Sequence, residues 1–142
     1  MSPRPARRGH ELLPHTADLR AALWAADLPG LYDQAAEQVR QILVGASPVA
    51  PREERLVACA GDDDAERFFR FVRELLYLYD TEAFLPARVV AGGGSGAPPR
   101  VAGERFDAAR HVSERQVKAV TRHGYRFRRS PAGYEAELVF DL

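Results

Sequence analysis

Two short stretches carry acids that sit oddly in their surroundings. In ELLPHTADL, residues 11–19, Asp18 interrupts a strand-like run of aliphatic and small side chains. An acid inside a strand is disfavoured unless something satisfies it. In YEAELVFDL, residues 134–142, an alternating apolar run stops on Asp141 and on Leu142 with its α-carboxylate. Strand alternation sends Leu138 and Phe140 to one face and Val139 and Asp141 to the other. Taken singly, each has an ordinary explanation: Asp18 on a wet face, and two carboxylates at a solvated end. If the two strands are neighbours, three anionic groups converge with no obvious arginine partner. Like charges a few Å apart repel unless a proton or cation intervenes. A hard, oxygen-preferring ion such as Ca²⁺ or Mg²⁺ is then the natural neutraliser.

Other chemistries find little support. There is no nucleophile motif, dinucleotide fingerprint or His/Cys zinc spacing, and His10, His15, His111 and His123 are scattered. The glycine run in AGGGSGAPPR, residues 91–100, lacks the lysine and following helix of a phosphate-binding loop and reads as a loop. The acidic triplet Asp62-Asp63-Asp64 precedes Phe68, Phe69, Val72, Leu75 and Leu76 at helical spacing, so it reads as a helix cap with charges favourable to the dipole. Cys59, the single cysteine, lies in the apolar stretch LVACA and reads as a small hydrophobe.

The elements that must position these acids follow from periodicity. Residues 12–26 are strand-like, with Leu19, Ala21, Leu23 and Ala25 on one face. Asp27 then caps a helix with Pro29 in its first turn and Leu31, Ala35, Val39, Ile42 and Leu43 at helical spacing, closed by Gly45. Residues 52–60 read as a strand, the stretch after Gly61 as the second helix, and 84–90 as a further strand. Residues 101–106, 116–122, 125–129 and 134–140 are short strands, with His123-Gly124 and Ser130-Pro131-Ala132-Gly133 as turns. Two helices and six or seven strands in mixed order predict an α+β class: a compact two-layer sandwich, a mixed sheet with both helices on one face.

Composition bounds the rest. The 142 residues suit one domain, with residues 1–9 as a flexible tail and 10–142 as the folded unit. Twenty basic residues balance twenty acidic ones, which leaves no cationic field to gather nucleic acid nonspecifically. No apolar run approaches the roughly 20 residues of a bilayer span. The start MSPRPARRGH lacks the apolar core of a secretion signal, which predicts a cytoplasmic protein.

Four separated blocks together resemble one family, the archeases: HTADL at 15–19, RFVRELLYLYDTEAF at 70–84, QVKAVTRHG at 116–124 and YEAELVFDL at the end. The resemblance covers nearly the whole chain after residue 10. It implies a compact α/β sandwich. It also implies a divalent cation, calcium in the first instance with magnesium or manganese as alternatives, bound by Asp18, Asp141 and the α-carboxylate of Leu142. The activity implied is accessory. Such proteins stimulate RtcB-type, GTP-dependent RNA ligases of tRNA splicing and RNA repair, promoting ligase guanylylation and repeated turnover, and RNA itself is contacted only indirectly. A chaperone of tRNA-modifying enzymes is the alternative, and a metallohydrolase in its own right is disfavoured for want of a general base or substrate-pocket motif. Around the implied ligands, His15, Glu82, Lys118 and His123 are candidates for contacts with the partner. Arg122, Arg126, Arg128 and Arg129 read mainly as an exposed, solvated cluster. The chain departs from the family pattern in four places: Arg20 where a small residue is common, Ala83 where a glycine is common, Arg122 at a site often aromatic, and Leu28-Pro29-Gly30, which alters the usual helix entry. Arg20, two residues from Asp18 on the same strand face, is placed to compete with a cation.

Overall fold

A computed structural model describes residues 8–13, 18–94 and 97–142. The elements run β1 (Gly9–Leu13), β2 (Asp18–Ala25), α1 (Leu28–Val44), β3 (Glu53–Leu56), α2 (Asp64–Glu82), β4 (Phe84–Ala91), β5 (Arg100–Arg105), β6 (Ala119–Ser130) and β7 (Gly133–Asp141). This is the α+β class expected. The strands divide between two sheets, β1-β2-β7-β6 and β3-β5-β4, and the pairings are antiparallel. Both helices touch both sheets, α1 against β2 and β4, α2 against β6 and β4. No helix among the described residues is long and apolar enough to cross a membrane. Of the expected tail, residues 1–7 lie outside the described residues, while Arg8 forms an ion pair with Asp33 at 2.7 Å and Gly9 begins β1.

Helix limits are set by caps. The Asp27 side chain accepts a hydrogen bond from Gly30 N–H at 2.8 Å, and Asp63 does the same for Glu66 N–H at 2.8 Å. Each satisfies an amide that has no partner within the helix. The first helix buries Leu31, Ala35, Val39, Ile42 and Leu43, and the second Phe68, Val72, Leu75 and Leu76. Tyr32 sits edge-on to Phe68 at 5.3 Å and tilts against Phe71 at 4.8 Å, which locks the helices to one another. The second helix ends at Ala83, a left-handed residue at φ 56°, whose N–H reaches back to Tyr79 C=O at 2.8 Å. Alanine in that conformation is strained by its Cβ, which explains why glycine suits the position.

In the smaller sheet, β5 presses so closely on β4 that a Cβ at Gly103 would lie 1.9 Å from Leu85 C=O. In the larger sheet, the expected turn at His123-Gly124 is instead a bulge within one continuous strand. Thr121 pairs with Val139 and Arg126 with Glu137, so five steps along β6 match two along β7. The hairpin turn itself falls at Pro131-Ala132, inside the Ser130–Gly133 segment expected to turn.

After β5 the chain runs without regular structure through residues 106–118, and a buried acid pins that loop. Glu104 is bound by both terminal nitrogens of Arg110, the second at 2.8 Å, and lies 3.3 Å from Arg52 Nε. His111, fully buried, accepts Asp107 N–H on Nδ1 at 2.9 Å, so its proton is on Nε2, which faces Glu104 at 3.3 Å. Further along, Val112 N–H donates to Ser47 Oγ at 3.0 Å and Glu114 N–H to Leu43 C=O at 2.8 Å. The Arg110 guanidinium holds the Glu104 carboxyl down from its ordinary 4.5 to about 2, against the opposing effect of burial.

Two measurements test these points. Ala83→Gly should stabilise the protein by about 1 kcal/mol, seen as a Tm rise of about 3 °C. Because folding lowers the Glu104 pKa, its contribution is complete above pH 4.5 and is lost as the pH falls from there toward 2. Glu104→Gln should therefore make the protein less stable at neutral pH and flatten the acid limb of its stability profile by up to one proton, read from urea midpoints at pH 2 to 7.

Candidate functional site

The register of the central strand pair decides whether the two odd acids meet. β2 and β7 pair in register from Ala25 opposite Tyr134 to Asp18 opposite Asp141. Residues directly opposite in an antiparallel pair share a face, with Cβ atoms roughly 4.5–5.5 Å apart. Inward from this pair, Leu19, Ala21, Leu23 and Ala25 face Phe140, Leu138, Ala136 and Tyr134 on the core side. The carboxylates are therefore on the outer face, away from the helices, where Asp18 is half-buried and Asp141 exposed. Leu142 follows directly, 43% exposed and one residue beyond the pair.

On that same face Arg20 reaches Glu137 at 3.5 Å, and Arg126 reaches the other oxygen of Glu137 at 3.7 Å. Arg128 binds Glu135 at 2.6 Å. Arg20 thus has a carboxylate partner one row further from the strand end, on the side away from Asp18. Among the described residues no three His, Cys, Asp or Glu side chains are grouped so as to hold a metal ion. The expected ligand set is of a different kind, two opposed side-chain carboxylates and one main-chain carboxylate. An oxygen-only set with adjacent negative charges suits a hard divalent cation.

The other expected residues are placed variously. His15 lies outside the described residues. Lys118 sits at the same end of the sheet: its N–H donates to Asp141 C=O at 2.8 Å, extending the β6–β7 ladder. Its side chain lines a cavity with Leu43, Leu76 and Tyr79, on the helix side of the sheet. His123 is exposed in the β6 bulge, where its N–H donates to Thr121 Oγ1 at 3.2 Å. A Cβ at Gly124 would lie 3.0 Å from Val139 Cγ2, so the bulge leans over the face that bears Asp141. Glu82 is turned toward the smaller sheet by Arg55, whose Nε donates at 3.0 Å.

The arginine cluster resolves into partnered groups. Arg122 makes a two-pronged contact with Glu66 at 2.6 Å for both bonds and stacks over Phe69 at 4.3 Å, filling with its guanidinium plane a position suited to an aromatic ring. These bonds hold the Glu66 carboxyl at about 2. Arg129 lies 5.7 Å from the centre of the Tyr134 ring. What sequence reasoning missed is the Glu104–Arg110–His111 anchor. The available signal was an acid in VAGERF, where neighbours Val101, Ala102 and Gly103 are all buried.

Comparisons with known proteins bear on the family and the fold. The chain matches the family model of the archease protein family over residues 10–142. It is 31% identical over 137 residues to the protein archease of Archaeoglobus fulgidus, covering 94% of this chain and 98% of that one. It is likewise 31% identical to the protein archease of Thermococcus gammatolerans, covering 90% and 94%. Its fold is similar to the solution structure of Methanobacterium thermoautotrophicum protein 1598, with a TM-score of 0.75 at 24% identity over 94% of this chain and 99% of that one. With its matched segment spanning β1 to β7, the chain belongs to the archease family.

Proposed function

We propose that this protein is an accessory factor for an RtcB-type, GTP-dependent RNA ligase in the cytoplasm, promoting guanylylation of the ligase and its repeated turnover without being an enzyme itself. The observation that carries the reading is the in-register opposition of Asp18 and Asp141 on the outer face, at the end of the central strand pair. Family membership supports the accessory role.

Asp18, Asp141 and the carboxylate at Leu142 would hold the divalent cation, calcium first among the choices. When bound, such an ion supplies fixed positive charge for phosphoryl oxygens and metal-dependent groups of a partner. The chain's own contribution is positioning. Two strands locked side by side hold both acids with little freedom, and Glu137 keeps Arg20 engaged one row away. The acids sit at the rim of the sheet, where a small protein can present them to a cleft of a larger one, and His123 in the nearby bulge is available for contact.

Two experiments check this. In calcium-containing buffer the thermal midpoint should rise relative to EDTA, and Asp18→Asn should abolish that rise while leaving the EDTA melt cooperative. Ligase guanylylation should fall at least about tenfold when wild type is replaced by Asp18→Ala, Asp141→Ala or a form lacking Leu142, a loss of about 1.4 kcal/mol in transition-state stabilisation. Full stimulation by all three would reject the carboxylate mechanism.

A further inference from the structure

On the helix side of the same sheet end, the loop 106–118 and the C-terminal turn of α2 line an open cavity of about 450 Å³. Leu76 and Phe106 are among its apolar walls, and Ser113, Arg115, Gln116 and Lys118 approach it from the loop. The volume falls in the range of roughly 300–1,000 Å³ typical of pockets for small molecules. Its walls are tied down on every side. Phe106 N–H donates to Ala83 C=O, Glu114 N–H to Leu43 C=O and Lys118 N–H to Asp141 C=O, each at 2.8 Å. The cavity is thus preformed, and little ordering is left for a ligand to impose.

Charge sets the character of this cavity. Many of the arginines elsewhere are matched with carboxylates: Arg52 and Arg110 with Glu104, Arg55 with Glu82, Arg122 with Glu66, Arg20 with Glu137. Among the described residues Arg115 and Lys118 have no acidic partner within ion-pair distance, and both line the same space. Asp80, on the α2 wall, is the acid that faces them, which leaves a net positive charge. We infer that this cavity binds the terminal phosphate of a nucleotide, with Arg115 and Lys118 as the anion-binding pair and the Ser113 hydroxyl and Gln116 amide as further donors. Asp80 accepts from hydroxyl or amino groups of the same ligand. The inference rests on the accessory role proposed above, since guanylylation and end-joining present two such groups, the polyphosphate of free GTP and the phosphate at an RNA 3′ end.

The test uses the full chain alone, in EDTA, so that it does not depend on the carboxylate site. Amide shifts are followed by NMR on titration with GTP, with a short RNA bearing a 3′-phosphate, and with the same RNA ending in a 3′-hydroxyl. Either phosphorylated probe should perturb residues 113–118 and 79–83, and the one that does identifies the source. Arg115→Gln and Lys118→Gln should each weaken that binding about tenfold while melting as wild type does, and Arg115→Lys should recover part of the loss. No shift with either phosphorylated probe, equal shifts with the 3′-hydroxyl RNA, or unchanged binding in both glutamine variants would overturn the proposal. In ligase assays the two ideas separate. Full stimulation by Arg115→Gln and Lys118→Gln alongside loss in Asp18→Ala rejects the phosphate pocket alone, and the converse rejects the carboxylate mechanism alone.

Discussion

The register between β2 and β7 is the constraint on which the rest of the molecule depends. Along the core side of that pair, Ala21 meets Leu138 and Leu23 meets Ala136, small against large, while Leu19 and Phe140 close the end of the row. A slip of one residue would turn Phe140 and Leu138 to solvent and drive Asp18 or Asp141 toward the core. Burying one such apolar side chain contributes roughly 1.5–3 kcal/mol, and there are several. Opposing two like charges across strands costs about 0.2–1 kcal/mol. Packing therefore wins, and the acids are held together as a consequence of the core.

The two helices matter to this end of the sheet in a less direct way. The last turn of α2 and the end of α1 provide carbonyls, at Ala83 and Leu43, that fasten the loop 106–118. Glu104 and its basic partners fasten the same loop from the smaller sheet. A segment with no regular structure is thereby anchored at several points, and it delivers Lys118 into the ladder beside Asp141. Most of these ties link residues far apart in sequence, as Leu43 with Glu114 and Arg52 with Glu104, so the geometry of the sheet end reflects the packing of the whole domain.

How much of this could be read from the chain depends on the range of the interaction. Helix caps at Asp27 and Asp63 are local, and both were legible because a side chain satisfies amides three residues away. The alternation in β2 and β7 was legible too, since a period of two assigns each face without knowledge of the partner. The opposition of Asp18 and Asp141 could be stated only as a condition, because register is a tertiary property. The bulge at His123-Gly124 was misread as a turn: glycine with φ 83° serves either, and only the continuing pairing with β7 distinguishes them. Glu104 was invisible as an anchor because its partners come from Arg52 and from a loop with no periodicity.

That bulge bears on the protein's behaviour in a crowded cell. β6 is twelve residues long and lies at the edge of its sheet, so one side of its backbone is not covered by a neighbouring strand. A flat ribbon of that length would invite strands from other chains to add on. Breaking its regularity near the middle, with Arg126, Arg128 and Arg129 set along the second half, leaves no long straight template, and the chain gains resistance to open-ended sheet growth without a covering element.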